Sequence, residues 1–487
     1  MTRAEYAECK RLMEWYCADP EFRENAVDGI RKRLSENGIA LEPEMVLEGI
    51  RLILAGRCAT EEGERNPFAR EKAERDRLVS EHLQMRMSPE QYAAWPVWHY
   101  TEVVRNRCRM ENREVRRHGN IYYFPLAFEV SSGCKVQCPF CGFRAKPWSE
   151  NYAYTEEHRA LWREILLVSK EVIGNVAGEA PCYFATEPMD NPDYEQFLGD
   201  MREIFGHVPQ TTSAAAQRDP ERTRRFLRFL GEEELRERGT YRISVTSLAH
   251  FRQIMRTFTP EELEYVELLA NNPESVNRYS CSGRAAANQE HFYENRDREN
   301  RGQENRGQES RERESRNRES QNGEWQIPGR QICEEKFLRY SIDCVAGVRV
   351  NLVEGTMMFL EPELPDEMYP LGYRVRETVT FSDAESYRTG LIHLFRSYAF
   401  DSLPLWHPVQ INRNVRMEER NGDILLLGDE IGYRMEAQPI LKEIMGAFRG
   451  GVIPGNLLQA LNAEKSGKKR ILELLRDLYE RGYLVLK

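Results

Sequence analysis

Three cysteines within eight residues restrict this chain more than any other feature. Cys134, Cys138 and Cys141 stand at C-x3-C-x2-C inside the stretch SSGCKVQCPFCGFRA (131–145), with Phe140 immediately before the last thiol. Thiolates packed this closely on a loop can converge on one soft metal centre. Iron–sulfur cubanes are usually held by four cysteines. A set of three leaves one iron without a protein ligand and open to a substrate, as catalytic zinc keeps an open position. The plainer readings are a zinc knuckle or an incidental cluster. Zinc would need a fourth ligand, and the nearest candidates, His118 and His158, stand well away in sequence.

The 487 residues suit two or three domains. A net charge of −10 argues against a general nucleic-acid binder. The opening MTRAEYAECKRLMEWY has no apolar core of a secretory signal. No run of eighteen apolar residues occurs, so no membrane span is expected. Eleven cysteines in a chain of this length are too scattered for a disulfide scaffold. An oxygen-sensitive cluster also needs a reducing compartment, so a cytoplasmic location is expected.

Residues 1–115 read as a helical N-terminal region in which Cys9, Cys17, Cys58 and Cys108 have no ligand spacing. The run IYYFPLAFEV (121–130) reads as a strand feeding the cysteine loop. Helix and strand signals then alternate: helix 156–173, strand 181–186, helix 192–205, strand 210–215, helix 220–235, strand 241–247, and helices 248–255 and 260–269. Such alternation predicts parallel strands with crossover helices, an α/β fold. Residues 294–323 parse as six pentads, ENRDR, ENRGQ, ENRGQ, ESRER, ESRNR and ESQNG, with no apolar residue before Trp325. Nothing there can offset the entropy of ordering, so 291–325 is expected to be a disordered insert.

Strand-like alternation returns at 340–360, followed by a loop at 362–373 and a helix at 383–395. The last eighty residues read as a separate unit. Segments 415–419 and 423–427 flank Asn421-Gly422, a strong hairpin signal. Helices at 439–448, 456–461 and 469–481 follow, and Ile471, Leu474, Leu475 and Leu478 share one face of the last.

The cysteine spacing, with its aromatic inside the final C-x-x-C, resembles the signature of the radical S-adenosylmethionine (SAM) superfamily. In that family a [4Fe-4S] cluster binds SAM through its open iron, and one electron cleaves SAM to methionine and a 5′-deoxyadenosyl radical. The resemblance implies a partial (β/α)6 barrel over 116–290, completed by 326–408, with chemistry at the C-terminal strand ends. It places Ala185-Thr186-Glu187-Pro188 where the family carries a GGEP-like segment; both glycines are replaced, which puts the backbone contact in doubt. Thr186 and Glu187 would contact the SAM amino group, Ser213 and Ser244 its carboxylate or ribose, and Phe140 the adenine or cluster.

Residues 121–373, with ATEPMDNPDYE, TTSAAAQRD, RISVTS, SCSGRA, SIDCVAG and PLGYRV, resemble the proteusin (polytheonamide-type) peptide epimerases. That likeness implies conversion of L- to D-residues in a ribosomal precursor peptide. The deoxyadenosyl radical would remove an α-hydrogen, and Cys344, with Cys281 as a lesser candidate, would return hydrogen to the opposite face. Residues 409–487 resemble the winged-helix precursor recognition element, which takes a leader peptide as an added strand. Ferredoxin or flavodoxin would supply electrons. Two other readings stay open: a radical SAM enzyme of excision or crosslinking, and a non-catalytic iron–sulfur binding protein.

Overall fold

The computed structural model describes residues 1–86, 103–104, 125–276, 282–285, 323–326, 346–363, 366–428 and 431–487. The chain divides into two compact units. One comprises Met1–Ala93, Phe124–Gln289 and Cys333–Leu391; the other comprises Ala94–Tyr123, Glu290–Ile332 and Ile392–Lys487.

The first unit opens with helices α1 (Arg3–Ala18), α2 (Pro20–Glu24), α3 (Ala26–Glu36), α4 (Pro43–Leu54), α5 (Glu61–Arg65) and α6 (Pro67–Arg86). Thr2 and Glu5 start α1 with a reciprocal capping box. Pro43 begins α4, whose Val46, Leu47, Ile50 and Ile53 are buried. The strands that position the site follow: β1 (Leu126–Glu129), β2 (Ser131–Ser132), β3 (Glu150–Asn151), then α7 (Glu156–Ile173) and α8 (Tyr194–Phe205). Next come β4 (Thr211–Ser213), α9 (Pro220–Leu230), α10 (Glu232–Arg238), β5 (Tyr241–Val245), α11 (Leu248–Thr257) and β6 (Glu267–Ala270). Strands β4, β5 and β6 form a parallel sheet in that order.

In a second sheet β1 pairs in parallel with β8 (Gly347–Asn351), which continues antiparallel to β9 (Thr356–Pro362) and β10 (Tyr373–Thr380). The class is mixed α/β, and among the described residues these sheets do not close into a barrel. Between them runs segment 181–184. The Phe128 N–H donates to Pro181 O at 2.8 Å and the Phe184 N–H to Phe128 O at 3.2 Å. Tyr183 OH donates to Gln210 Oε1 at 2.8 Å beside β4.

Three sequence expectations are corrected here. Residues 181–186 form no strand beyond a single bridge at Tyr183, because Ala185 turns the chain with φ 51°. Residues 260–269 are not a helix: short turns give way to β6, which the ladder with β5 claims through pairs such as Ser244 and Leu269. The helix expected over 220–235 breaks at Gly231, φ 85°, into α9 and α10.

The second unit takes over within α12 (Ala384–Tyr398) and carries β11 (Val409–Ile411), β12 (Arg416–Arg420), β13 (Asp423–Leu427) and β14 (Ile431–Glu436). Helices α13 (Pro439–Gly450), α14 (Pro454–Ala460) and α15 (Lys465–Glu480) follow, then β15 (Leu484–Leu486), which pairs with β11. Asn421 and Gly422, with φ 52° and 85°, make the turn between β12 and β13. Ile424, Leu426 and Met435 of the sheet share one core with Ile444, Phe448, Leu475 and Leu478 of the helices. The sheet runs β12-β13-β14-β7, where β7 (Gly323–Gln326) comes from far upstream. The insert expected as disordered through 325 therefore ends in a paired strand. Among the described residues no helix is long and apolar enough to cross a membrane.

Candidate functional site

The cysteine loop leaves the C-terminal end of β1 and is closed at its base by the β2–β3 ladder. Its path needs backbone that ordinary residues avoid. Gly133 lies at φ 78°, and a Cβ there would come within 2.2 Å of Pro147 O. Gln137 and Arg144 also adopt positive φ, 53° and 50°. The Gln137 amide compensates by donating to Cys134 O at 2.6 Å and Lys146 O at 2.9 Å.

A second segment clamps the loop from outside. The Arg284 backbone N–H donates to Cys141 O at 2.8 Å. Its guanidinium donates to Cys138 O at 3.2 Å, to Gln137 Oε1 at 2.9 Å and to Ala145 O. Gly283, at φ 58°, lets this segment approach; a Cβ there would sit 2.3 Å from Cys141 O. Tyr373 OH donates to Phe143 O at 3.1 Å, and Phe143 packs on Phe184 with ring centroids 4.0 Å apart.

The three thiols share this loop. The Ala145 N–H donates to Cys141 Sγ at 3.4 Å. Burial, and then the charges of Cys134 and Cys141, push the Cys138 thiol well above its ordinary value. Burial raises Cys134 as well. Cys138 therefore lies in the field of the other two sulfurs, and a soft cation replacing its proton would relieve it. The donor chemistry fits such a metal. Among the described residues, however, no three His, Cys, Asp or Glu side chains stand close enough together to hold an ion. None of the described cysteines is disulfide-bonded.

Beside the loop lies Glu187. Cys134 and Ala185 pack in one apolar cluster, and the Glu187 charge acts on both Cys134 and Cys138. Its side chain is 3 % exposed. Oε1 accepts from Ser213 Oγ at 2.6 Å and from the Met189 N–H at 3.1 Å, while Oε2 accepts from the Ala214 N–H at 2.8 Å. Burial still outweighs these bonds and raises its pKa to about 7. Among the described residues no lysine or arginine is ion-paired with it. Arg222 feels its charge but is spent on Glu195, Met189 O and Asn191 O. Next to it, Thr186 Oγ1 is buried without a hydrogen-bond partner among the described residues.

Of the residues singled out in sequence, Glu187 and Ser213 are hydrogen-bonded and the Glu187 charge reaches Cys134 and Cys138, while the three thiols share one loop without being gathered closely enough to hold an ion. The Ser213 hydroxyl is committed to Glu187 rather than left for a ligand. Ser244 stands on β5 one row beyond the Ser213–Ile243 pair and is 7 % exposed. Phe140 is buried on the loop. Cys344 and Cys281 lie outside the described residues.

Sequence reasoning missed several neighbours. Asp190 accepts from the Lys135 N–H at 2.9 Å and faces Arg218 at 3.4 Å, tying the loop to the segment after Glu187. Glu129, fully buried at the end of β1, pairs with Arg349 at 2.7 Å and accepts from Asn351 Nδ2. His250 Nδ1 accepts from the Thr246 N–H at 3.1 Å, its Nε2 is buried without a partner among the described residues, and burial lowers its pKa to about 4. Only Arg284 had a legible signal, the glycine beside it in SCSGRA.

No family model matches the chain, and no solved structure does. The chain is similar to the uncharacterized protein y4wI of Sinorhizobium fredii (strain NBRC 101917 / NGR234), 30 % identical over an aligned length of 487 that covers 98 % of this chain and 86 % of the relative. At that identity and coverage the two share a fold and a descent, and this chain belongs to the family of y4wI.

Proposed function

We propose that this chain is a radical SAM enzyme that epimerises L- to D-residues in a ribosomally made precursor peptide. The observation that carries the reading is the company the cysteine loop keeps: a buried carboxylate without a countercharge among the described residues, and an unpartnered hydroxyl beside it. In this proposal the parallel strands of the first unit's two sheets are arcs of a partial (β/α)6 barrel, with the loop at their C-terminal ends.

Held by Cys134, Cys138 and Cys141, a [4Fe-4S] cluster would supply, with SAM, one-electron chemistry able to remove a hydrogen atom from a peptide α-carbon. Glu187 would receive the ammonium of SAM, a positive charge that would draw the carboxylate pKa down. Thr186 Oγ1 supplies a further hydrogen bond, and Ser213 holds the carboxylate in place. Arg284 holds the loop in shape through the carbonyls of Cys138, Cys141 and Ala145. Phe140 and Ser244 line the SAM side. Cys344 gives its thiol hydrogen to the opposite face of the α-carbon, and its sulfur then takes up one electron and one proton. Ferredoxin or flavodoxin supplies electrons in a reducing cytoplasm. The second unit grips the leader.

The test uses anaerobically reconstituted protein, SAM, dithionite and a candidate precursor peptide from a neighbouring gene, in deuterated water. Chiral amino-acid analysis and mass spectrometry are expected to find deuterium at the α-carbon of D-residues. Peptide mass loss, or deoxyadenosine without deuterium uptake, would overturn epimerisation in favour of excision or crosslinking. Absence of deoxyadenosine would overturn the radical SAM reading itself.

A further inference from the structure

The N-terminal helices, to which no chemistry has yet been given, enclose with α11 a cleft of about 680 Å³. That volume falls within the span of small-molecule sites, roughly 300–1,000 Å³. Trp15 of α1, Phe22 of α2 and Met255 of α11 supply apolar wall, and Arg33, Arg252 and Arg256 supply three cations. The indole of Trp15 is fixed in place by two rings. Phe251 meets it edge-on with centroids 4.8 Å apart, and Phe22 leans on it at 5.9 Å.

The three cations differ in what they are committed to. Arg252 Nη2 donates to Asp19 Oδ2 at 2.9 Å, while Asp19 Oδ1 accepts from the Glu21 and Phe22 N–H groups that open α2. The Asp19 charge is thereby answered. Glu21 comes no nearer to Arg252 than 3.7 Å and its side chain is 83 % exposed, so water screens it. Arg33 lies over the Trp15 ring at 4.4 Å, and Arg256 is exposed at the rim. Neither is ion-paired among the described residues. The charge of Arg33 acts on Glu8, but burial pushes that carboxyl above its ordinary value, so Glu8 answers Arg33 only in part. A guanidinium stacked on an indole keeps its edge N–H donors for a carboxylate or phosphate. Stacking has also removed rotamer freedom that binding would otherwise cost.

We propose that this cleft binds a small organic oxyanion, a phosphate or carboxylate carried on an apolar body. Arg33 and Arg256 take the charge, and Trp15, Phe22 and Met255 take the body. No residue of the cysteine loop contributes, so the site stands apart from the radical SAM reading.

The experiment uses the full chain and three probes: phenyl phosphate, phenylacetate and inorganic phosphate. Calorimetry is expected to show one of the two phenyl compounds binding about tenfold more tightly than inorganic phosphate; which one it is assigns the oxyanion. Arg33→Gln with Arg256→Gln should weaken that binding by on the order of tenfold or more. Arg225→Gln with Arg228→Gln, on α9, removes the same charge elsewhere and should leave it unchanged. Phenylglyoxal labelling of the wild type, mapped by mass spectrometry, gives a readout that needs no variant: the bound probe should slow modification of Arg33 and Arg256 but not of Arg225 and Arg228. Binding of neither phenyl compound, equal loss in the two double variants, or unprotected Arg33 and Arg256 would overturn the site. Inorganic phosphate binding as tightly as the phenyl compounds would overturn the role of the apolar wall.

Discussion

The cysteine loop and the hairpin between β12 and β13 both turn the chain back on itself through positive-φ residues, but they are held in opposite ways. The hairpin carries its own instructions. Asn421 and Gly422 set the turn, and the register from Arg420–Asp423 to Arg416–Leu427 follows from it. The cysteine loop does not. Its carbonyls are satisfied by Arg284, 146 residues beyond Cys138, and its flank leans on Tyr373 and Phe184. The conformation of the hairpin is local, whereas that of the loop belongs to the whole first unit.

The contrast can be broken most sharply at Gly283. Gly283→Ala drives a Cβ against Cys141 O at a φ that L-residues avoid, and is expected to cost ~3 kcal/mol or more locally. Hydrogen exchange should show amides 134–145 losing protection while β12–β14 keep theirs. Unchanged protection of the loop would mean that the clamp does not hold it.

A second test uses two buried groups of the same unit that pull in opposite directions. Glu187 has its pKa raised from 4.5 to about 7, so the folded state holds a proton that the unfolded chain has released. Its contribution to stability therefore falls as pH rises from about 4.5 to 7. His250 is lowered from 6.5 to about 4, so its contribution is lost as pH falls through that window. The two slopes offset each other in the wild type. Glu187→Gln should leave stability rising with pH, and His250→Gln should leave it falling, each by on the order of 3 kcal/mol over the window. Thermal melts of the three proteins between pH 4 and 8 would measure this, and parallel profiles would refute it.

The smallest effect is expected at the hairpin. Gly422→Ala meets nothing within 4 Å, so only the φ of 85° resists it, at about 1 kcal/mol. A melting shift confined to the second unit would confirm that the turn is governed by backbone preference alone.

How much of this was legible in sequence follows the same division. Helix 156–173 has the expected ends because Thr155 caps it and Gly174 stops it, both within one turn. The Asn-Gly hairpin was equally plain, and Gly482 closes α15 by accepting no further turn. Residues 260–269 carried a helical spacing that the ladder with β5 overruled. Strand 181–186 was lost to a left-handed turn at Ala185, a position where local preference asks for glycine. Cys134, Glu187 and Ser213 were each visible as motif residues. The hydrogen bond that commits Ser213 to Glu187 was not, since it joins residues 26 apart across two elements. Arg284 and Asp190 act through contacts whose partners no spacing rule names.

The pairing of β1 with β8 also governs the order of events on the ribosome. Glu129 and its partner Arg349 are 220 residues apart. At cytosolic elongation rates that interval takes on the order of 10–40 s. Throughout it the apolar strand LAFE waits with one edge unmatched, and the cysteine loop hangs from it. Gly283 arrives well into that interval, and Leu371, whose carbonyl receives the Gly283 N–H, and Tyr373 arrive only after it. The thiols are therefore made long before the shell that orders them, and a nascent chain depends on something else to keep them reduced until then.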